Sequence, residues 1–219
     1  MKYKKLRGLL IAYTFIGVLL LSANDVSRVK TSTGSSNPNI NIEDEINPFC
    51  NGDLFERNLN FNDIKNIEID VNDSNGWYRN LISAYFSEET IMKREFKNYF
   101  LGKVKINILD KECSYDAEIR INGDFKDHIE IENLNASLDV KLLNGNILGI
   151  VTFKLFLPET RYSDNEIFVT SVLEELNFIV PRTSYVTVNV NNFGETTYIF
   201  QEKAVKELLE FHNFREGPI

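Results

Sequence analysis

The chain has 219 residues, 43% hydrophobic and 26% charged, enough for one packed domain and too few for two large ones. Eleven Gly and five Pro exclude collagen-like and Pro/Gly-rich disordered chains. A net charge of −8 makes a poor surface for nucleic acid, whose phosphates need basic partners, and two His with two Cys exclude a His₃ zinc site or a doubled CxxC cluster.

Lys2, Lys4, Lys5 and Arg7 precede an uncharged run of 17 residues, Gly8 to Asn24. At ~1.5 Å per helical residue that run just spans a ~30 Å hydrocarbon core. A cleaved signal peptide wants small residues at −3 and −1, yet cuts after Ala23 or Ser22 place Leu21 or Leu20 at −3. The expectation is an uncleaved signal-anchor, with residues 1–24 forming a cytoplasmic basic flank and one membrane helix. Cleavage would instead give a secreted protein. Either way the basic flank stays in the cytoplasm and the rest lies outside it. Residues 25–60 read as a linker, with Ser27 to Asn41 polar and without apolar periodicity. Cys50 and Cys113 suit one disulfide or two free thiols, and their spacing does not choose between them.

Residues 61–219 carry the folded domain. Ile64 to Val71 alternates as a strand, and Ser87 to Phe100 reads as a helix with Ser87 at its N-cap. Alternation then becomes clear. Val104, Ile106 and Ile108 share one face, as do Ala117, Ile119 and Ile121, then Leu138, Val140 and Leu142, then Val151 to Leu157 at every second position. Phe168, Val169, Val172, Leu173 and Leu176 recur at helical spacing before Pro181. Tyr185 to Val190 and Thr196 to Phe200 form two more strands around Asn191-Asn192-Phe193-Gly194, a hairpin-like turn, and a last helix covers Lys203 to Phe214. This order predicts an α+β fold, an antiparallel sheet with packed helices.

Phosphate-loop, dinucleotide-binding, zincin and nucleophile-elbow signatures are absent. One charged constellation remains. Lys141 lies on the strand face opposite Leu138, Val140 and Leu142, and Glu166 borders the apolar stripe of the 168–176 helix. A strand Lys held by a helix Glu is how protein kinases fix ATP phosphates. Solvated surface charges give the same pattern. If the functional reading holds, Arg120, Lys141 and Glu166 should meet in space.

Several blocks carry a family likeness. They are Ile119 through His128, Ser137-Leu138-Asp139-Val140-Lys141-Leu142, Gly149 through Leu155, and Pro158, Arg161 and Glu166. Pro181 through Val186 and Leu208-Leu209-Glu210 with Arg215-Glu216-Gly217-Pro218-Ile219 complete the set. Over Tyr115 to Ile219 the chain resembles the amino-terminal half of the CotH family, the spore-coat-protein-H-like atypical protein kinases. The resemblance implies a kinase-like small lobe binding ATP with Mg²⁺ or Mn²⁺, and a protein substrate or assembly partner. Carried over by position, Lys141 would contact nucleotide phosphates and Glu166 would hold it. Glu202 would lie at the strand end leading to the hinge, and Gly123, Asp124 and His128 in the loop over the nucleotide. Two departures stand out: Thr196-Thr197-Tyr198 replaces the family's Gly before Tyr, and Glu202-Lys203-Ala204 replaces an acidic-His-Phe segment. The family's catalytic and metal-binding aspartates would follow Ile219, so no catalytic residue is assigned and a fragment or inactive copy is expected. The reading is a membrane-anchored, extracytoplasmic CotH-like protein carrying the nucleotide-binding lobe. Its rival is a non-enzymatic surface or assembly module.

Overall fold

The computed structural model describes Cys50 and residues 61–108 and 111–215. The first elements in chain order are β1 Asn66–Val71, α1 Ser74–Phe86, β2 Phe100–Ile108, β3 Lys111–Ile121, the short pair β4 Ile129–Glu130 and β5 Asn135–Ala136, and β6 Leu138–Leu142. They continue with β7 Thr152–Phe156, α2 Asp164–Glu175, β8 Thr183–Val190, β9 Glu195–Glu202 and α3 Lys206–Phe211.

Each long strand has one mainly apolar face, and such a face must be covered. Here the sheet covers itself. Seven strands close into a barrel in the order β1-β2-β3-β6-β7-β9-β8. Ile67, Ile69 and Val71, then Val104, Ile106 and Ile108, then Ala117, Ile119 and Ile121 are all buried, as are Leu138, Val140, Phe153, Leu155, Val186, Val188, Tyr198 and Phe200. Phe153 stacks on Phe200 with ring centroids 4.5 Å apart, and Phe61 meets the same Phe200 edge-on at 4.9 Å.

The α+β expectation is therefore corrected. This is a closed barrel and not a kinase-like sheet with helices layered on it. The decisive contact is β1 against β8, paired in parallel with Ile67 opposite Val188 and Ile69 opposite Val190. All other pairings in the barrel are antiparallel. Once β1 and β8 join, the apolar face of the sheet is enclosed by the sheet itself, and α2 buries none of its residues.

The predicted strands all form, and so does the turn between β8 and β9, where Asn191 and Asn192 take positive φ. Asn191 also accepts a 2.7 Å bond from the Val71 amide through Oδ1, tying this turn to β1 beside the closing pair. The expected helix over Ser87 to Phe100 is displaced. The helix lies one segment earlier as α1, capped by Asp73, whose Oδ1 accepts from the Gly76 amide at 2.9 Å. Trp77, Leu81 and Ala84, at helical spacing, are its buried stripe. Ser87 is the residue at its end. The following segment is drawn to the β3–β4 loop by the Met92 amide bonding the Asp124 carbonyl at 2.8 Å and by an Ile91–Phe125 bridge.

Cys50 and Cys113 form a disulfide. Among the described residues no helix is long and apolar enough to cross a membrane. The predicted signal-anchor, 8–24, and most of the predicted linker lie outside the described residues. The transmembrane, signal-anchor and kinase-like readings thus gain no element of the described fold.

Candidate functional site

In a barrel with an apolar interior, polar strand residues point outward, and register decides which become neighbours. Across five adjacent strands one outward row reads Arg120, Asp139, Lys154, Gln201 and Thr183, each opposite the next. Asp139 and Gln201 are buried despite facing outward, because long cationic side chains and the segment ahead of α2 lie over them.

Asp139 is the hub. Its Oδ2 accepts from Arg120 Nη2 at 2.6 Å and Nε at 3.1 Å, and Lys203 Nζ approaches Oδ1 at 3.2 Å. At the other end, Glu166 Oε1 accepts from Gln201 Nε2 at 2.5 Å and from Arg161 Nη2 at 3.2 Å. Arg161 lies in the single 3-10 turn Pro158–Arg161 and sits over the Phe156 ring, 4.4 Å from its centroid. Its buried Nε finds no acceptor among the described residues. Lys154 stands between the two ends. Among the described residues no carboxylate lies within ion-pair distance of it, and burial, together with repulsion from Lys203, Arg161 and Arg120, pulls its pKa below the ordinary lysine value despite the opposing pull of Asp139.

Of these groups Arg120, Lys154 and Arg161 open onto a pocket of about 490 Å³, lined also by Lys97, Gly123, Asp124, Phe125 and His128, among others. A neighbouring hollow shares Lys97 and Arg120 and adds Arg94 and Tyr99. The Arg120 guanidinium lies 4.6 Å from the Tyr99 ring centroid. On a chain of net charge −8, this is a local concentration of positive charge.

Gly123 has φ +113°, and a Cβ there would stand 2.1 Å from His128 Cδ2, so a side chain is excluded by both backbone and space. His128 Nδ1 bonds Ser137 Oγ at 3.0 Å, and burial lowers its pKa. Asp124 is tied to Lys97 at 2.6 Å, a contact that lowers its pKa and pairs its charge with an ammonium at the pocket edge.

Of the predicted site residues, Gly123, Asp124 and His128 line this pocket together. Lys141 does not join them. It lies on the same outward face two residues along β6 from Asp139, is 51% exposed and pairs with Glu118 at 3.6 Å, while Glu166 pairs with Arg161 and Gln201. The expected Lys141–Glu166 contact is replaced by these separate pairs. Glu202 is 1% exposed, on the strand face of Tyr198 and Phe200, and is held by Arg182 through Nε at 2.8 Å and Nη2 at 3.0 Å. Arg182 also donates to the Leu148 carbonyl at 2.8 Å and lies 4.0 Å from the Phe211 ring centroid. That pair is internal to the fold. Lys154, Arg161, Asp139 and Gln201 are the site residues that pattern reasoning did not select. For Asp139, Lys154 and Gln201 the periodic signal is only an outward position on an alternating strand, and Arg161, in the turn ahead of α2, has none.

The donor set suits an anion better than a divalent ion. Among the described residues no three His, Cys, Asp or Glu side chains converge, and the two nearby aspartates already serve lysines and an arginine. The cations and the imidazole match phosphate oxygens.

No family model matches the chain, and no curated protein matches it.

Proposed function

We propose that this is an extracytoplasmic binding module whose cationic pocket takes a phosphate-bearing ligand. The observation that carries it is the convergence of Arg120, Lys154 and Arg161, with Lys154 lacking a carboxylate partner among the described residues, on one pocket that also holds Gly123 and His128. A ligand phosphate would relieve the repulsion among these cations. ATP is the ligand to try first, because the likeness to the CotH family points to a nucleotide. The Cys50–Cys113 disulfide supports the extracytoplasmic placement, since such bonds persist in oxidising compartments.

Bound ligand would be held and not turned over. Phosphoryl transfer needs metal-held phosphates and a carboxylate to orient the acceptor. The carboxylates at this pocket are occupied by Lys97, Arg120 and Lys203.

Equilibrium dialysis of the full chain in neutral-lipid nanodiscs against labelled ATP, with inorganic phosphate as competitor, tests the reading. Each charge-assisted bond to phosphate contributes roughly 1.5–3 kcal/mol. Lys154→Met and Arg161→Ala should each weaken binding about tenfold or more, and Lys141→Ala should leave it unchanged. A loss with Lys141→Ala and none with Lys154→Met would move the site to the other position.

A further inference from the structure

A helix beside a closed barrel normally turns its apolar stripe inward. The α2 helix does not. Phe168 is 68% exposed and Leu176 62% exposed, with Val169 and Val172 also exposed, and Phe178 and Ile179 continue the apolar surface beyond the helix end. At 3.6 residues per turn, Phe168, Val169, Val172 and Leu176 fall within one arc of the helix. Scattered exposed apolar residues are ordinary, but four on one stripe, extended by two more, mark an interaction surface.

Charge decides what covers it. Asp164 and Glu175 lie along one edge of the stripe, Glu174 follows the helix round, and no Lys or Arg occurs between Arg161 and Arg182. A second copy would bring acidic edge against acidic edge, on a chain already at −8. An anionic bilayer would meet the same repulsion. We infer that α2 docks an amphipathic helix of a partner protein, with an apolar stripe bordered by Lys or Arg, laid along the Phe168–Leu176 face. This surface is independent of the cationic pocket, whose contact to α2 runs through Glu166 at another angle of the helix.

The probe is a fluorescein-labelled 18-residue peptide of Leu and Lys in amphipathic order, with its Leu and Glu counterpart as comparison. Both are titrated by fluorescence anisotropy against the full chain in neutral-lipid nanodiscs, and empty nanodiscs supply the background. The Leu/Lys peptide should bind at least tenfold more tightly than the Leu/Glu one. Phe168→Asp with Leu176→Asp should abolish that binding, and Glu175→Lys should weaken it several-fold. Phe86→Asp, at an exposed apolar residue on α1, should leave it unchanged. Unchanged far-UV circular dichroism and an intact disulfide show that the variants fold. Equal affinity for the two peptides, no effect of the double variant, or an equal effect of Phe86→Asp would overturn the inference. So would dimerisation or binding to anionic vesicles that the double variant removes, each of which assigns the face to a different occupant.

Discussion

Replacing Glu202 by Gln tests whether that residue serves the fold or a ligand. The substitution keeps the shape and removes the charge that holds Arg182. With Glu202 at 1% and Arg182 at 11% exposure, neither group recovers its hydration when the other is lost. Breaking a buried pair by removing one partner costs ~3–5 kcal/mol, because the remaining charge is left uncompensated. Arg182 keeps the Leu148 carbonyl and its position on the Phe211 ring, so the lower half of that range is expected. Urea unfolding of the full chain in neutral detergent can be followed through Trp77, the only tryptophan and a fully buried one. At an m-value of about 2 kcal/mol/M the midpoint should fall by roughly 1.5–2 M. The double variant Glu202→Met, Arg182→Met should recover most of that loss, leaving about 1–2 kcal/mol for the undonated Leu148 carbonyl. A single-variant cost below about 1 kcal/mol, or a double variant no better than the sum of the singles, would refute the buried-pair argument.

Lys154→Met should raise the unfolding midpoint, since it removes a half-buried charge repelled by Lys203, Arg161 and Arg120; a lower midpoint would mean that the attraction of Asp139 dominates. His128 has a folded pKa below the ordinary 6.5, so between the two values the unfolded chain binds a proton that the folded chain does not. Its share of stability is present above 6.5 and is lost as pH falls towards the folded pKa, and thermal unfolding between pH 7.5 and 5 should show a smaller loss for His128→Gln than for the parent. Sulfate, whose charge is constant over that range, should bind more tightly at the acid end in the parent and not in His128→Gln, as followed by sulfate-dependent thermal shifts. Cys50→Ser opens a loop of sequence separation 63 and should cost up to about 4 kcal/mol on the chain-entropy estimate, measured against the parent with and without reductant.

Strands were legible because each carries its own period-two record, and the same record separates Ile119 from Arg120 and Leu155 from Lys154. Barrel closure was not. Ile67 and Val188 become parallel neighbours across more than half the chain, and no local pattern states that pairing. The α1 helix was obscured by Asn75, Gly76 and Asn80, which lower local propensity, while burial of Trp77, Leu81 and Ala84 decides the outcome. Ser87 resembles an N-cap by residue type alone, yet its hydroxyl bonds back to the Ala84 carbonyl at 2.9 Å, completing the helix that precedes it. The same limit governs the site. Lys141 and Lys154 both occupy outward positions on short strands. Only register places Lys154 between Asp139 and Gln201 and leaves Lys141 opposite Glu118.

On the proposed reading, that placement would make ligand binding and stability opposing demands on the same residues. Asp139 is shared by Arg120 and Lys203, and Glu166 is already engaged by Arg161 and Gln201. The carboxylates within reach are therefore occupied while the positive excess around Lys154 persists, a repulsion the folded chain holds and the unfolded chain sheds. An anion that binds only the folded state returns RT ln(1 + [L]/Kd), about 2.7 kcal/mol at a hundredfold excess over Kd. A second carboxylate beside Lys154 would stabilise the empty barrel by satisfying that cation internally, and would close the pocket to phosphate by the same contact. An acidic chain with 32 Asp and Glu to choose from places none within ion-pair distance of Lys154 among its described residues.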